Sequence, residues 1–144
     1  MKRIGVVVPT LFQRGDYLRQ ALESIQKAGS AYVIVMGPDV ESNSDPYEGL
    51  FDQLIEEPKK GTLSSKLSFA LSSFPSQIEY LTWIGDDDIF ASGSLDYLAQ
   101  RFTQERDLVL AYGGCDYIDA NGKKIGRNRS GSWAICLSKF GPFL

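Results

Sequence analysis

Histidine is absent from the 144 residues of this chain. Its absence excludes Ser-His-Asp and Cys-His nucleophile systems, imidazole general bases and zinc sites with histidine ligands. Acid–base or metal chemistry must therefore use the carboxylates, and the sequence contains 18 Asp and Glu residues.

Cysteine is scarce, with only Cys115 and Cys136 in the chain. The two form no Cys-x-x-Cys pair and no metal-binding spacing, so we expect both to be reduced and structural, as in a cytosolic protein. The chain also lacks the motifs G-x-G-x-x-G and G-x-x-x-x-G-K-[ST]. These motifs form the phosphate-binding loops of dinucleotide-binding and P-loop proteins, so their absence argues against both classes.

Long apolar runs and an excess of basic residues are missing as well. The run Val6-Val7-Val8 is cut short by Pro9, far below the roughly 20 residues of a membrane span. No small-residue cleavage site follows it, which argues against a signal peptide. With 15 basic and 18 acidic residues the net charge is −3, which argues against a nucleic-acid partner. We expect a cytoplasmic protein, or one at the cytoplasmic face of the membrane, without an integral membrane segment.

The remaining pattern alternates short apolar runs with amphipathic stretches. Runs rich in β-branched residues predict strands over 2–8, 32–36, 53–56, 78–84 and 108–112. This alternation predicts an α/β fold with a mostly parallel sheet. The tract 37–49 is rich in turn residues and predicts a loop, with a short helix around 46–51.

Three helices are predicted between these strands. The first has Asp16 as N-cap and Gly29 as its stop, with Leu18, Ala21, Leu22 and Ile25 on one face. The second opens at Gly61-Thr62 and is ended by Pro75, and the third is capped by Ser92. Near the C-terminal end, Asn121-Gly122 lies between apolar positions and predicts a β-hairpin.

The acidic triplet Asp86-Asp87-Asp88 follows Gly85 directly after a predicted strand. Adjacent carboxylates repel one another, and a cation relieves this repulsion. Oxygen ligands suit Mg²⁺ or Mn²⁺, and ligands in open α/β sheets bind beyond the carboxyl ends of the strands. A metal site and a solvated acidic turn that caps the next helix are both compatible with the triplet.

Three segments of the chain, in order, resemble family 2 glycosyltransferases. The strand ending in Pro9-Thr10 and the helix pattern Leu18…Ala21-Leu22-Glu23-Ser24-Ile25 are similar to the opening of that family. The run Trp83-Ile84-Gly85-Asp86-Asp87-Asp88-Ile89-Phe90, followed by Ser94-Leu95, resembles its DxD region. Tyr117-Ile118-Asp119, Asn121-Gly122-Lys123 and Ile125-Gly126 resemble its hairpin motif. The resemblance implies a Rossmann-like α/β/α sandwich, which is a GT-A-like donor half, with a C-terminal hairpin.

The same resemblance implies residue roles. Pro9 and Thr10 would contact the nucleotide, Asp39 the base or ribose, and Lys59 or Lys60 the pyrophosphate. Asp86 and Asp87 would face the nucleotide sugar, and Asp86 and Asp88 would hold Mn²⁺ or Mg²⁺, although the pair within the triplet that binds metal stays open. Taken alone, Pro9-Thr10 and Asp39 are also compatible with ordinary turns, and the lysines with a solvated pair.

The implied partner is a UDP-, GDP- or dTDP-sugar. Transfer to an acceptor hydroxyl needs a general base, and the acids after Asp107 are Asp116 and Asp119, both in the predicted hairpin. We therefore expect residues 1–126 to form a nucleotide-sugar-binding domain and 127–144 to be the truncated start of an acceptor-side half, with a homodimer possible. A metal-dependent glycosyltransferase donor domain and a non-catalytic nucleotide-sugar-binding module are the two functions compatible with the sequence.

Overall fold

The computed structural model describes residues 3–105 and 107–128. It divides the chain into two compact units, Met1–Arg106 and Asp107–Leu144, called the first and second unit below. Lys2, Cys136 and all but the first two residues of the predicted tail 127–144 lie outside the described residues. The predicted domain boundary at residue 126 stays a prediction.

The first unit is built on a four-stranded sheet. Its strands are β1 (Ile4–Pro9), β2 (Ala31–Gly37), β3 (Gln53–Glu56) and β4 (Tyr80–Trp83), in the order β3-β2-β1-β4. All three strand pairs are parallel. Because β1 lies between two strands and is buried on both faces, its sequence is a continuous apolar run rather than an alternating one.

Four helices and one 3-10 helix accompany the sheet. The helices are α1 (Gly15–Ala28), α2 (Val40–Asn43), α3 (Leu63–Leu71) and α4 (Ser94–Gln104), and the 3-10 helix is Asp45–Tyr47. The sequence pattern missed α2, which is a single turn within the polar tract. The short helix expected around 46–51 is the 3-10 helix, shifted toward the N-terminus.

Two predicted helix caps are wrong by one or two residues. Arg14 occupies the N-cap of α1 and Asp16 lies in the first turn, where a carboxylate still interacts favourably with the helix dipole. Gly93, with φ of 73°, occupies the N-cap of α4. Ser92 instead donates its hydroxyl hydrogen to the carbonyl of Lys27 at 3.2 Å. The predicted stop of α1 at Gly29 and the predicted opening of α3 at Gly61-Thr62 are confirmed, with Thr62 as the N-cap of α3.

The core forms two apolar layers, one on each face of the sheet. Val6 and Val8 of β1 pack with Leu22 of α1 and Leu95 of α4 on one face. Val7 points the opposite way and packs in a second cluster, with Ile34, Met36, Leu67 and Ala70. The α/β/α sandwich predicted from the sequence is thereby confirmed.

One face of β4 lacks cover within the described part of the chain. β4 is the outer strand of the sheet, and its Leu81 and Trp83 are each nearly half exposed. The homodimer considered from the sequence stays a prediction.

The second unit contains a hairpin of β5 (Cys115–Ile118) and β6 (Lys124–Asn128). Asp119 Oδ1 accepts hydrogen bonds from the backbone N–H of Asn121 and Lys123, both at 2.9 Å, and Gly122 has φ of 75°. The hairpin predicted from Asn121-Gly122 is therefore confirmed.

The strand predicted over 108–112 is wrong. The backbone of these residues pairs with no other described strand, and Val109 is 90% exposed. An apolar run forms a strand only where a neighbouring strand completes its hydrogen bonds. Cys115 is an exposed free thiol, so it is reduced as expected but not part of a core. Among the described residues, no helix is long and apolar enough to cross a membrane.

Candidate functional site

The parallel arrangement brings the carboxyl ends of all four strands of the first unit to one edge of the sheet. Thr10 follows β1, Asp39 follows β2, Lys59 and Lys60 follow β3, and the acidic triplet follows β4. In the strand order β3-β2-β1-β4, the β1 end lies next to the triplet and the lysines lie on the far side. All the residues predicted to form the site therefore share the edge where ligands bind in open α/β sheets.

Thr10 connects three of these strand ends. Its backbone N–H donates to the carbonyl of Met36 at the end of β2, at 2.9 Å. Its buried hydroxyl donates to Asp86 Oδ2 at 2.8 Å and accepts from the backbone N–H of Phe12 at 2.9 Å. Because the hydroxyl hydrogen is already donated to Asp86, Thr10 acts chiefly to position the acidic turn.

Because Gly85 has no side chain, oxygens of the other two carboxylates can approach its backbone closely. A Cβ at this position would lie 3.1 Å from Asp87 Oδ1 and 3.1 Å from Asp88 Oδ2. The two oxygens therefore converge on a space that a side chain at position 85 would fill. No three Asp, Glu or Cys side chains of the described residues are grouped so as to hold a metal by themselves. Mg²⁺ is commonly held by one or two carboxylates together with substrate phosphates, so two convergent oxygens fit that kind of site.

Arg14 is a site residue that the sequence interpretation missed. Its guanidinium donates to Asp87 Oδ2 and forms an ion pair there. The pair balances one of the three adjacent negative charges, while the Thr10 hydroxyl stabilises another. A basic residue in a strand-to-helix loop carries no signal in a single sequence, because the conformation of the loop decides where the side chain lies.

The segment after the acidic turn is held by α1. Buried Ser24 accepts a hydrogen bond from the backbone N–H of Phe90 at 3.0 Å and donates to the carbonyl of Ala21 at 2.7 Å. Gly93 N–H donates to the carbonyl of Lys27 at 3.0 Å. The sequence offered one clue to Ser24, since it is a polar residue on the apolar face of α1.

Asp39 lies at the same edge but is held by another carboxylate. Its φ of 48° places it in the left-handed region, which Asp tolerates better than most residues. Glu56 at the end of β3 accepts from the N–H of Asp39 at 2.9 Å and from that of Val40 at 3.2 Å. The backbone of Asp39 thus contacts Glu56 and α2, and its side chain is exposed.

The predicted basic residues lie in the loop before α3. Lys59 and Lys60 are both exposed, and Gly61 follows with φ of 125°. Lys66, in the second turn of α3, forms a 3.0 Å ion pair with Glu57, and both side chains are partly buried. The sequence interpretation did not single out Lys66, because its spacing on the helix does not distinguish it from a surface lysine.

No protein-family model and no curated protein matches this chain. Its fold is that of a Rossmann-like α/β domain with GT-A-like structural neighbours. Residues 1–349 of TarS from S. aureus, a GT-A-like glycosyltransferase, align at 18% identity with a TM-score of 0.59, covering 74% of this chain and 33% of that one.

Two further structures show the same likeness. Another structure of S. aureus TarS aligns at 19% identity and a TM-score of 0.56, covering 72% of this chain and 20% of that one. The 4-diphosphocytidyl-2C-methyl-D-erythritol synthase of Anaerococcus prevotii aligns at 11% identity and a TM-score of 0.53, covering 99% of this chain and 77% of that one. This chain thus spans a third or less of the TarS chains, and at these identities the likeness shows the fold alone.

Proposed function

We propose that this chain binds a nucleotide-diphosphate sugar together with Mn²⁺ or Mg²⁺, as the donor domain of a family 2 glycosyltransferase. The observation that carries the proposal is the acidic turn after β4, fixed by the Thr10–Asp86 hydrogen bond at the carboxyl edge of the sheet. The fold likeness to TarS supports it.

The metal would be held by Asp88, with Asp86 as the second ligand expected from the sequence. Asp87 Oδ1 and Asp88 Oδ2 each lie 3.1 Å from the position that a Cβ on Gly85 would take, so Asp87 would be a further ligand of the same cation. Bound there, a divalent cation would stabilise the negative charge of the nucleoside diphosphate leaving group.

The remaining contacts follow from the order of the strands. Lys60 precedes the N-terminus of α3, where a lysine and the helix dipole both favour phosphate. Asp39, its backbone fixed by Glu56, presents an exposed carboxylate that suits the hydroxyls of a ribose. Pro9 and Thr10, at the end of β1, lie between the end of β2 and the acidic turn in the strand order and would contact the nucleotide there.

Transfer would also need a base for the acceptor hydroxyl, because the hydroxyl loses its proton as it attacks the anomeric carbon and the bond to the diphosphate breaks. In the hairpin, hydrogen bonds from Arg127 and Lys124 hold the pKa of Asp116 well below its usual range, which makes it a weak base. Asp119 uses Oδ1 to close the hairpin turn. Neither is proposed as the base.

Binding is tested by isothermal titration with UDP, GDP and dTDP, with Mn²⁺ or with EDTA. Asp88→Asn should weaken the Mn²⁺-dependent affinity at least about tenfold, equivalent to about 1.4 kcal/mol. Asp96→Asn is the matched control, since Asp96 Oδ1 accepts from Ser30 N–H at the opposite edge of the sheet and asparagine keeps that oxygen. Unchanged affinity in Asp88→Asn, or affinity indifferent to EDTA, would contradict the proposal.

The second candidate function is a non-catalytic binding module that uses the same site. A measurement of sugar transfer distinguishes it from the glycosyltransferase. Sugar transferred from a bound donor to an added acceptor supports the glycosyltransferase. Tight, metal-dependent binding of the donor without transfer, across a panel of sugar and lipid acceptors, supports the module.

A further inference from the structure

Arg14 places a positive charge directly against the acidic turn. It lies in the loop between β1 and α1, and its side chain is 55% exposed, while that of Asp87 is 50% exposed. The backbone is hydrogen-bonded on both sides of this loop, from Thr10 N–H to the Met36 carbonyl and from Leu18 N–H to the Arg14 carbonyl, both at 2.9 Å. The main chain of Arg14 is therefore held, and its long side chain can move.

The two oxygens of Asp87 have different neighbours. Oδ2 accepts from Arg14, whereas Oδ1, like Asp88 Oδ2, lies 3.1 Å from the position that a Cβ on Gly85 would take. A divalent cation drawn to that space would lie close to the guanidinium, and like charges at such a distance repel one another. An ion pair this exposed is held only weakly. A cation bound there would therefore weaken the contact between Arg14 and Asp87.

A displaced guanidinium needs another anionic acceptor. A diphosphate that shares the same cation supplies one, and the planar fork of arginine matches phosphate oxygens in a two-point contact. We propose that Arg14 is the resident counter-ion of the acidic turn, which exchanges Asp87 for the diphosphate when metal and nucleotide bind. This inference rests on the proposed function, and it names the residue that couples the two ligands.

The exchange predicts effects of opposite sign for the two ligands. Without nucleotide, Arg14 competes with the metal, so Arg14→Gln should bind Mn²⁺ alone about threefold more tightly because one repelling charge is gone. With saturating Mn²⁺, the same variant should bind UDP or GDP about tenfold more weakly, since the phosphate contact is lost. Arg14→Lys should restore the weaker metal binding and only part of the nucleotide affinity, because lysine keeps the charge without the fork.

Arg101→Gln is the matched control. Arg101 also forms an exposed ion pair, with Glu105, and lies in the last turn of α4. Free Mn²⁺ is measured by electron paramagnetic resonance, nucleotide binding by calorimetry and folding by thermal melting. Arg101→Gln should leave both affinities at the wild-type values.

The outcomes distinguish the two proposals. Wild-type protein that binds neither Mn²⁺·UDP nor Mn²⁺·GDP overturns the proposed function. Wild-type protein that binds one of them, while Arg14→Gln changes neither affinity or weakens both equally, leaves the proposed function standing and overturns the exchange. Tighter metal binding with weaker nucleotide binding in Arg14→Gln supports it.

Discussion

Replacing Ser24 by alanine would remove the hydroxyl that ties the segment after the acidic turn to α1. Ser24 is 7% exposed, and its hydroxyl accepts from Phe90 N–H at 3.0 Å. The variant leaves this partly buried N–H without its partner, which costs about 1–3 kcal/mol. The better helix propensity of alanine returns at most about 0.7 kcal/mol. We therefore expect a net loss of about 1–2 kcal/mol.

The first unit is close in size to domains of 60–100 residues, in which each kcal/mol of lost stability lowers the melting temperature by about 4–8 °C. Ser24→Ala should thus melt roughly 5–15 °C below wild type by circular dichroism. Because the acidic turn would then be less firmly held, the affinity for nucleotide with Mn²⁺ should also fall, even at temperatures where the variant is fully folded.

Ser72→Ala provides a control of the same chemistry. Ser72 donates to the carbonyl of Phe69 at 2.8 Å, with the same three-residue spacing as the bond from Ser24 to Ala21. Ser72 is exposed, whereas Ser24 is buried and also accepts from Phe90 N–H. Equal melting temperatures for the two variants would refute the role assigned to the Phe90 contact. A destabilised Ser24→Ala with unchanged nucleotide affinity would show that α1 does not position the acidic turn.

Two further predictions concern packing and pH. A Cβ on Gly37 would lie 2.5 Å from the carbonyl oxygen of Thr10, so Gly37→Ala should destabilise the protein by about 1–3 kcal/mol. Gly113→Ala is the control and should be nearly neutral, because its Cβ would meet nothing within 4 Å. Similar urea midpoints for the two variants would contradict this prediction. Hydrogen bonds from Arg127 and Lys124 lower the pKa of Asp116. The contribution of the ionised Asp116 carboxylate to stability is therefore complete above the ordinary aspartate pKa of about 3.9. It is lost as the pH falls through the lower pKa that Asp116 has in the folded protein. NMR titration of the Asp116 carboxyl carbon should show this, with Arg127→Gln raising the midpoint; an unmoved midpoint would exclude the Arg127 contact as its cause.

The sequence predicted the central elements of the fold because their local and tertiary preferences agree. Val6-Val7-Val8 is an apolar run closed by Pro9, and a strand buried on both faces needs just such a run. The face of α1 formed by Leu18, Leu22 and Ile25 has helical spacing and packs on the sheet. The Asn121-Gly122 turn likewise requires no distant contact.

The errors occur where the outcome depends on partners that the sequence does not name. Residues 108–112 have the composition of a strand, yet their backbone pairs with no described strand. Asp16 has the chemistry of an N-cap, but α1 begins one residue earlier, at Gly15.

The sequence predicted which residues share the edge of the sheet, but not the hydrogen bonds and ion pairs that hold them there. Parallel strands bring Thr10 and the acidic triplet to one edge, which follows from the fold class. The supporting contacts of Arg14, Ser24 and Glu56 join segments far apart in the chain. A single sequence carries no record of such pairs, since each of these residues is ordinary in its own neighbourhood.

The bond between Thr10 and Asp86 joins residues 76 positions apart. β1 and β2 are neighbours in the chain as well as in the sheet, whereas β4 is separated from β1 in the chain by three helices, the 3-10 helix and two strands. Closing so long a loop costs entropy before any contact compensates for it. The acidic turn therefore gains its place at the site only when β4 docks. A ligand held between the two strand ends would favour that docking, and so would stabilise the sheet as a whole against unfolding.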